Sequence, residues 1–312
     1  MLVVVYTQTG QLGAIARHFI QPLVDEGRHA VHVEHLRPER TFPFPWPFLR
    51  FFDAFPESAL MAPGPLHPLG IGADAEFDLV ILFYQVWFLA PSQPVTAFLQ
   101  GAEGARLLAG KPVVTVIGCR NMWLMAHARV RGLLAALGAR HLDNVAFTDR
   151  APTLATLLTT PLWLLTGRRR CVPCLPAAGV AEDDIRRGAR FGRALADALA
   201  TDAERGAAPL LAGLGAVEAR PELLLSEQAG TRSFRAWGRL LRLAGPPGSL
   251  PRWPLLILYI VFLVAIILTV VPLSLGLQAL LRPLLGARLA ALKSTFEQPS
   301  GSGVERLARY DL

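Results

Sequence analysis

Residues Val3–Phe19 read VVVYTQTGQLGAIARHF. Val3 to Tyr6 has the β-branched, apolar character of a short buried strand. A polar stretch follows, Thr7-Gln8-Thr9-Gly10-Gln11, and from Leu12 the apolar residues recur at helical spacing. A polar loop that opens onto a helix gathers backbone N–H groups and the positive end of the helix dipole at one point, which suits an anion. Thr7 and Thr9 add hydroxyls, and Gly10 lets the backbone approach a ligand with no Cβ in the way. The glycines are too few for a dinucleotide fingerprint, and no G-x-x-x-x-G-K is present. The pattern therefore suits a single phosphate monoester, as on a mononucleotide. A plain strand–turn–helix junction is the other reading.

Outward from this stretch, strand and helix signals alternate. Apolar runs bounded by turn residues fall at Leu2–Tyr6, Ala30–Leu36, Leu79–Tyr84, Pro112–Ile117 and Asn144–Phe147. Helical periodicity lies between and after them, at Leu12–Glu26, Gln93–Leu99, Trp123–Leu137 and Glu182–Leu199. Such alternation predicts a parallel sheet covered on both faces. Open sheets of this kind bind ligands beyond the carboxyl ends of their strands. Two further stretches deliver polar and aromatic groups to that edge. In DLVILFYQVWFLAPSQPVTAFL, residues 78–99, Tyr84 and Trp87 offer flat faces to a flat ring. In KPVVTVIGCRNMW, residues 111–123, the strand ends in Gly118-Cys119-Arg120-Asn121.

Two connections are long. Pro38–Glu76 contains FPFPWPFLRFFDAFP, too rich in proline to begin as a regular helix. Arg150–Gly179 contains TLATLLTTPLWLLTG ahead of three arginines, 168–170. The apolar part is too short to span a bilayer, and it either packs or dips into an interface.

Beyond residue 200 the composition changes. Residues 201–231 read as a Gly/Ala/Pro linker. Residues 232–244 form a basic amphipathic helix, with Phe234, Trp237, Leu240 and Leu241 on one side and Arg232, Arg235, Arg239 and Arg242 on the other. From Trp253 to Leu281 no residue is charged, a run long enough to cross a hydrocarbon core ~30 Å thick. Pro272 leaves a re-entrant hairpin open beside a single span. Arginines 235, 239, 242 and 252 flank one end, and Arg282, Arg288 and Lys293 the other, within a basic tail of residues 282–312. The positive-inside bias is slight and agrees with a cytosolic N-terminal domain.

The 312 residues carry 31 Lys+Arg against 24 Asp+Glu, a formal charge of +7, which favours an anionic partner or surface. Basic blocks interleaved with aromatics are missing, which argues against nucleic acid. Met1 is followed at once by strand-like residues with no basic n-region, so a secretory leader is not expected. Cys171 and Cys174 have the spacing of half a metal site with no second pair to complete it, so no metal is expected and the thiols read as reduced loop residues.

Taken together, the loop at Thr7–Gln11 and the segments ending in Gln85–Phe88 and Gly118–Asn121 resemble those of the flavodoxin-like FMN proteins. The resemblance implies an α/β fold with a five-stranded parallel sheet of order 2-1-3-4-5, and it covers about residues 1–200 apart from the two long connections. GVAEDDIRRGARFGRALADAL, residues 179–199, looks like the closing helix of that fold. It implies that Thr7, Gln8, Thr9, Gly10 and Gln11 hold the FMN phosphate. Gln85, Val86, Trp87 and Phe88 then flank the flavin on one side, with Tyr84 beside them, and Gly118, Cys119, Arg120 and Asn121 on the other. Leu12 stands where the family usually has a hydroxyl, which removes one phosphate contact.

YTQTGQLGAIA, YQVWFLAPSQPV and GCRNMW are similar to a narrower group, the flavodoxin-like proteins of bacterial dialkylresorcinol and aryl-polyene gene clusters. Members are often labelled dialkylresorcinol condensing enzymes. No condensing-enzyme Cys/His constellation is visible, and the chemistry implied is flavin-dependent aromatisation of a 2,5-dialkylcyclohexane-1,3-dione. Arg120 then stabilises an enolate or simply contacts the flavin, and Tyr84 or His127 relays a proton or is structural. Phe42–Phe55 and Leu154–Leu165 line an alkyl groove for a lipid-like substrate or cap the sheet. The resemblance further implies acyl-carrier or ketosynthase partners of the same pathway and a place at the bacterial inner membrane. Two other functions fit the same residues, a membrane-tethered electron carrier and a flavin-free scaffold.

Overall fold

The fold is described from a computed structural model, in which the described residues are 1–72 and 74–311. Of the side chains at 271, 272, 274, 275 and 277–285 nothing is described, so the expectations placed on Pro272 and Arg282 lie outside the described residues.

Six strands are found among the described residues: β1 (Leu2–Val5), β2 (His32–His35), β3 (Val80–Trp87), β4 (Ala90–Pro91), β5 (Pro112–Cys119) and β6 (Arg140–Thr148). β4 is a two-residue hairpin return that pairs antiparallel with the end of β3. The other five form one parallel sheet in the order β2-β1-β3-β5-β6, which is the flavodoxin-like 2-1-3-4-5 arrangement. Val3 pairs with Val33 on one side and with Ile81 on the other. Central parallel strands are buried on both faces, and for that reason β1 and most of β3 read as continuous apolar runs.

Helices α1 (Gln11–Asp25), α8 (Glu182–Arg187) and α9 (Ala189–Leu199) pack together on one face. Phe19 of α1 meets Phe83 edge-on and stacks on Phe191 of α9. The expected helix Glu182–Leu199 is divided at Gly188, where a Cβ would lie 2.8 Å from the Ile185 carbonyl oxygen and 3.1 Å from the Phe147 ring. α4 (Gln93–Gln100), α5 (Ala102–Leu108) and α6 (Leu124–Ala136) complete the doubly wound set.

The first long connection folds as two short helices, α2 (Phe48–Asp53) and α3 (Phe55–Ala59). It is tied down by Gln93, whose Nε2 donates to the Ala54 carbonyl at 2.9 Å and to Ser58 Oγ at 3.0 Å. The second forms α7 (Thr153–Thr166), which buries Thr156, Thr159 and Trp163 and leaves Leu154 and Leu158 exposed.

Residues 201–231, expected as a linker, are not one in this structure. Leu210, Leu211, Leu214, Ala216 and Val217 are buried in the main core, and Ala146 of β6 donates its N–H to Ala216. Strand β6 likewise begins at Arg140 and not at Asn144. Its polar residues hid it, because Asp143 is buried and accepts hydrogen bonds from the Leu210 and Leu211 N–H groups and from Ser300 Oγ. The basic amphipathic helix, α10 (Leu224–Leu243), starts a full two turns before residue 232. Its apolar side holds Phe234, Trp237 and the fully buried Leu241, but Leu240, expected with them, is half exposed.

Next comes α11 (Trp253–Glu297), a single helix, followed by α12 (Leu307–Tyr310). Residues Leu250–Val270 are long and apolar enough to cross a membrane, with mean hydropathy 2.8 and 11% of the window buried. The tail expected as a basic appendage returns to the domain, where Tyr310 is buried and its hydroxyl donates to Asp197 at 2.8 Å.

Candidate functional site

At the carboxyl ends of β1, β3 and β5 lies a cleft open to solvent, with about 880 Å³ of empty space when its mouth is included.

The first wall is the β1–α1 turn. Gln8, Thr9, Gln11, Leu12 and Ile15 line the cavity. Gly10 sits just before α1 with φ 82°, a left-handed conformation that L side chains resist, and a Cβ placed there would meet nothing within 4 Å. Thr9 Oγ1 accepts the Gln11 N–H at 3.3 Å. Gln11 in turn clasps the far end of the second connection, its amide bonding the Val180 N–H and carbonyl at 3.1 and 3.2 Å. Gln8 reaches the other connection, donating to the Pro43 carbonyl at 2.9 Å. Thr7 does not line the cavity. It packs beneath the helix start against Gly13, with its buried hydroxyl unpartnered.

The second wall is the end of β3. Gln85, Val86, Trp87 and Phe88 line the cavity. Trp87 is held edge-on by Tyr6, Phe42 and Trp46, with ring centroids 5.9, 4.9 and 6.0 Å away. The hairpin into β4 turns on Phe88 and Leu89, with φ 50° and 61°. Two-residue hairpins want this conformation at both central positions, yet they usually find it with Asn or Gly. The strain is retained by packing, because Phe88 lies against Phe51, Phe55 and Phe234.

Tyr84, expected beside the flavin, is a correction. It is fully buried and off the cavity, with its hydroxyl 3.1 Å from His127 Nδ1 on the α6 side of the sheet. Tyr84 lies deeper in β3 with its side chain toward α6, whereas residues 85–88 line the cavity at the strand end and into the hairpin. Burial pushes the Tyr84 hydroxyl well above its usual range and the His127 imidazole well below, the latter with help from His141 and Arg131. Both stay neutral, and neither reaches the cavity as a proton relay.

The third wall is the end of β5. Gly118, Cys119 and Arg120 line the cavity, whereas Asn121 is buried behind it and donates to Thr153 Oγ1 at 3.2 Å. A Cβ on Gly118 would come within 2.8 Å of Leu12 Cδ1, so the glycine lets α1 approach the strand end. Burial, with Glu227 nearby, raises the Cys119 pKa strongly and keeps the thiol protonated. Arg120 Nη1 lies 3.5 Å from Thr156 Oγ1 and Nη2 lies 3.2 Å from Met122 Sδ. Burial lowers its pKa, opposed by Cys119, Asp149 and Glu227.

A roof completes the cavity. Trp46 and Phe51 come from the first long connection, and Thr160, Trp163 and Leu164 from α7. The two connections meet there, since Trp46 N–H donates to the Leu164 carbonyl at 2.8 Å and Phe44 contacts Trp163. These residues fall within the two stretches expected to line an alkyl groove. Ile15 and Gly179 were not foreseen. Ile15 follows Gln11 by four residues and so shares its face of α1.

One carboxylate near the site escaped the sequence reading. Glu227, the sole acid in α10, reaches the start of α6 and accepts the Met125 N–H at 2.8 Å and the Leu124 N–H at 3.3 Å. It is fully buried, and burial raises its pKa to about 7 against the pull of those N–H groups and Arg120. Its signal in the sequence is an acid isolated among arginines. Cys171 and Cys174 are exposed, unpaired by disulfide, and do not line the cavity.

The residues present fit an FMN. Gln8, Thr9 and Gln11 at the start of α1 line the cavity, and the buried Gln85 Nε2 and Thr160 Oγ1 on its wall have no partner among the described residues.

No family model matches the chain, and no curated protein matches it. Among solved structures it is similar to a flavoprotein from Lactobacillus acidophilus NCFM in complex with FMN, at 11% sequence identity and a TM-score of 0.37. The match covers 46% of this chain and 91% of that one. A likeness that low assigns no residue and no activity to this chain.

Proposed function

We propose that the protein is an FMN-dependent oxidoreductase, an aromatase that converts an alkylated cyclohexane-1,3-dione into the resorcinol in dialkylresorcinol- or aryl-polyene-type lipid biosynthesis. It works at the cytoplasmic face of a bacterial inner membrane, downstream of acyl-carrier and ketosynthase proteins that build the ring's carbon skeleton. The observation that supports this most is the cavity lining, which combines polar residues of the β1–α1 turn with an aromatic and aliphatic roof from the two long connections.

Thr9, Gly10 and the N-terminus of α1 would hold the phosphate, and Gln85, Trp87 and Gly118 would border the ring. FMN, when bound, supplies an acceptor for a hydride. Aromatisation removes one hydride and one proton from the dione overall. The Arg120 guanidinium lines the cavity and, among the described residues, has no carboxylate in hydrogen-bonding contact, so its charge is available to an enolate oxygen as the proton leaves. Cys119 stays protonated and takes no part as a nucleophile. Trp46, Phe51, Trp163 and Leu164 exclude water and receive alkyl chains, each buried CH₂ contributing about 0.8 kcal/mol.

A dedicated electron carrier needs its ring edge open to a protein partner. The roof built from both long connections favours a small substrate over that role. The decisive experiment is an absorbance spectrum of the purified protein, followed by anaerobic titration with a 2,5-dialkylcyclohexane-1,3-dione. The expected result is a yellow protein bleached in proportion to added dione, with resorcinol as product. A yellow protein indifferent to the dione is a carrier, and a colourless one that ignores added FMN is a scaffold. Either outcome ends the proposal.

A further inference from the structure

A helix that crosses a bilayer once must deliver its two ends to opposite sides of it. The ends of α11 are both fastened to the same α/β domain. At the first, Arg252 is fully buried and grips α2 and α3. Its Nη1 and Nη2 bond the two Glu57 carboxylate oxygens at 3.2 and 2.9 Å, Nη2 also reaches the Asp53 carbonyl at 3.1 Å, and Nε lies 3.3 Å from Asp53 Oδ1. One and two turns later, Leu256 and Tyr259 are buried in the same cluster as Phe55. At the far end, Leu292 and Phe296 pack on the main core, and Glu297 Oε1 accepts the Ala219 N–H at 3.1 Å. Ser300 Oγ accepts the Asn144 N–H of β6 at 2.8 Å and donates to Asp143 at 2.7 Å. Val217 N–H donates to the Gly301 carbonyl at 3.2 Å, and Arg306 to the Leu210 carbonyl at 2.9 Å.

Between these anchors the helix offers apolar surface to its surroundings. Ile257, Leu258, Val261, Leu268 and Leu273 are each more than half exposed. No acid occurs between Gln228 and Phe296, and the outer side of α10 exposes Arg232, Arg235 and Arg239. Among the described residues none of these three has a carboxylate partner within ion-pair distance. Apolar surface beside unpaired arginines matches a leaflet of anionic phospholipid, hydrocarbon below and phosphate above.

We infer that α11 lies in one leaflet of an anionic membrane without crossing it, entering and leaving the lipid on the side where the domain sits. This rests on the membrane reading given under Proposed function. It also accounts for the near-equal positive charge at the two flanks of the apolar run, since both flanks stay on one side.

Surface cysteines test this in the full-length chain. In a Cys171→Ser/Cys174→Ser background, His18→Cys places a thiol on exposed α1 and Val304→Cys one on the exposed part of the tail. Right-side-out and inverted vesicles from expressing cells are treated with a membrane-impermeant maleimide, and the background protein gives the contribution of Cys119. The expected result is that both new thiols label in the same vesicle orientation. Labelling of His18→Cys and Val304→Cys in opposite orientations would overturn the inference and leave the membrane reading standing. Recovery of the protein outside the membrane fraction, with no binding to phosphatidylglycerol vesicles, would overturn both.

Discussion

Phe55 and Tyr259 stack face to face, with ring centroids 4.2 Å apart and planes within 8°. One ring belongs to the first long connection and the other to the apolar helix. Phe55 also meets Phe88, which lines the cavity, so two aromatic contacts link the candidate site to α11. Both rings are fully buried, and truncating Phe55→Ala leaves a cavity that the surrounding helices fill only in part. The expected loss is about 3–5 kcal/mol in denaturant unfolding. A Phe55/Tyr259 double-mutant cycle should return about 1 kcal/mol of coupling; a value near zero would mean that the rings merely share a site.

Replacing Gly10 with valine separates backbone from bulk. A Cβ there touches nothing, so the cost is the left-handed φ alone, about 1–2 kcal/mol. The β-branch obstructs the helix start, and bound FMN should be lost at a stability cost no larger than that. Flavin content after dialysis, set beside the thermal midpoint, checks both.

Arg120→Met should lower the rate of dione oxidation by about 100-fold while leaving flavin content within twofold, if the guanidinium meets charge that develops only in the transition state. Loss of flavin from the same variant would assign Arg120 to cofactor binding. Rapid-mixing kinetics under anaerobic conditions distinguish the two.

The Cys119 thiol is held protonated, and Cys171 and Cys174 are exposed. Iodoacetamide at pH 8 should therefore modify the latter two and spare Cys119, as read by peptide mass spectrometry. Cys119 labelled as fast as the others would show that burial does not control it.

His141 is largely buried against Thr115, its Nε2 2.8 Å from the hydroxyl, and burial lowers its pKa to about 4, helped by Arg131. The folded state therefore binds the proton less well than the unfolded chain. The stabilisation is complete above the ordinary value of 6.5 and is lost as pH falls through about 4, amounting to roughly 2–3 kcal/mol. His141→Gln should flatten the decline of stability across this window. An unchanged slope would place the titration elsewhere.

The sheet was legible because its central strands are buried on both faces and contain little but Val, Ile and Leu. At the β6 edge only the second half could be read, since its first half carries His141 and Asp143, whose partners lie elsewhere along the chain. The three loops of the site could be read from their position after strands. What could not be read was which side chains face inward, so Tyr84 was drawn to a cavity that its neighbours line. The run at 210–219 looked like a linker because its glycines and alanines masked leucines that cover β6. Sequence proximity carries no information on a segment whose cover arrives from residue 300.

That last contact has a consequence for synthesis. Asp143 is satisfied only when Leu210, Leu211 and Ser300 have all reached it. The apolar helix is translated before Ser300, so the carboxylate at the edge of the sheet cannot be satisfied until the whole helix has been made.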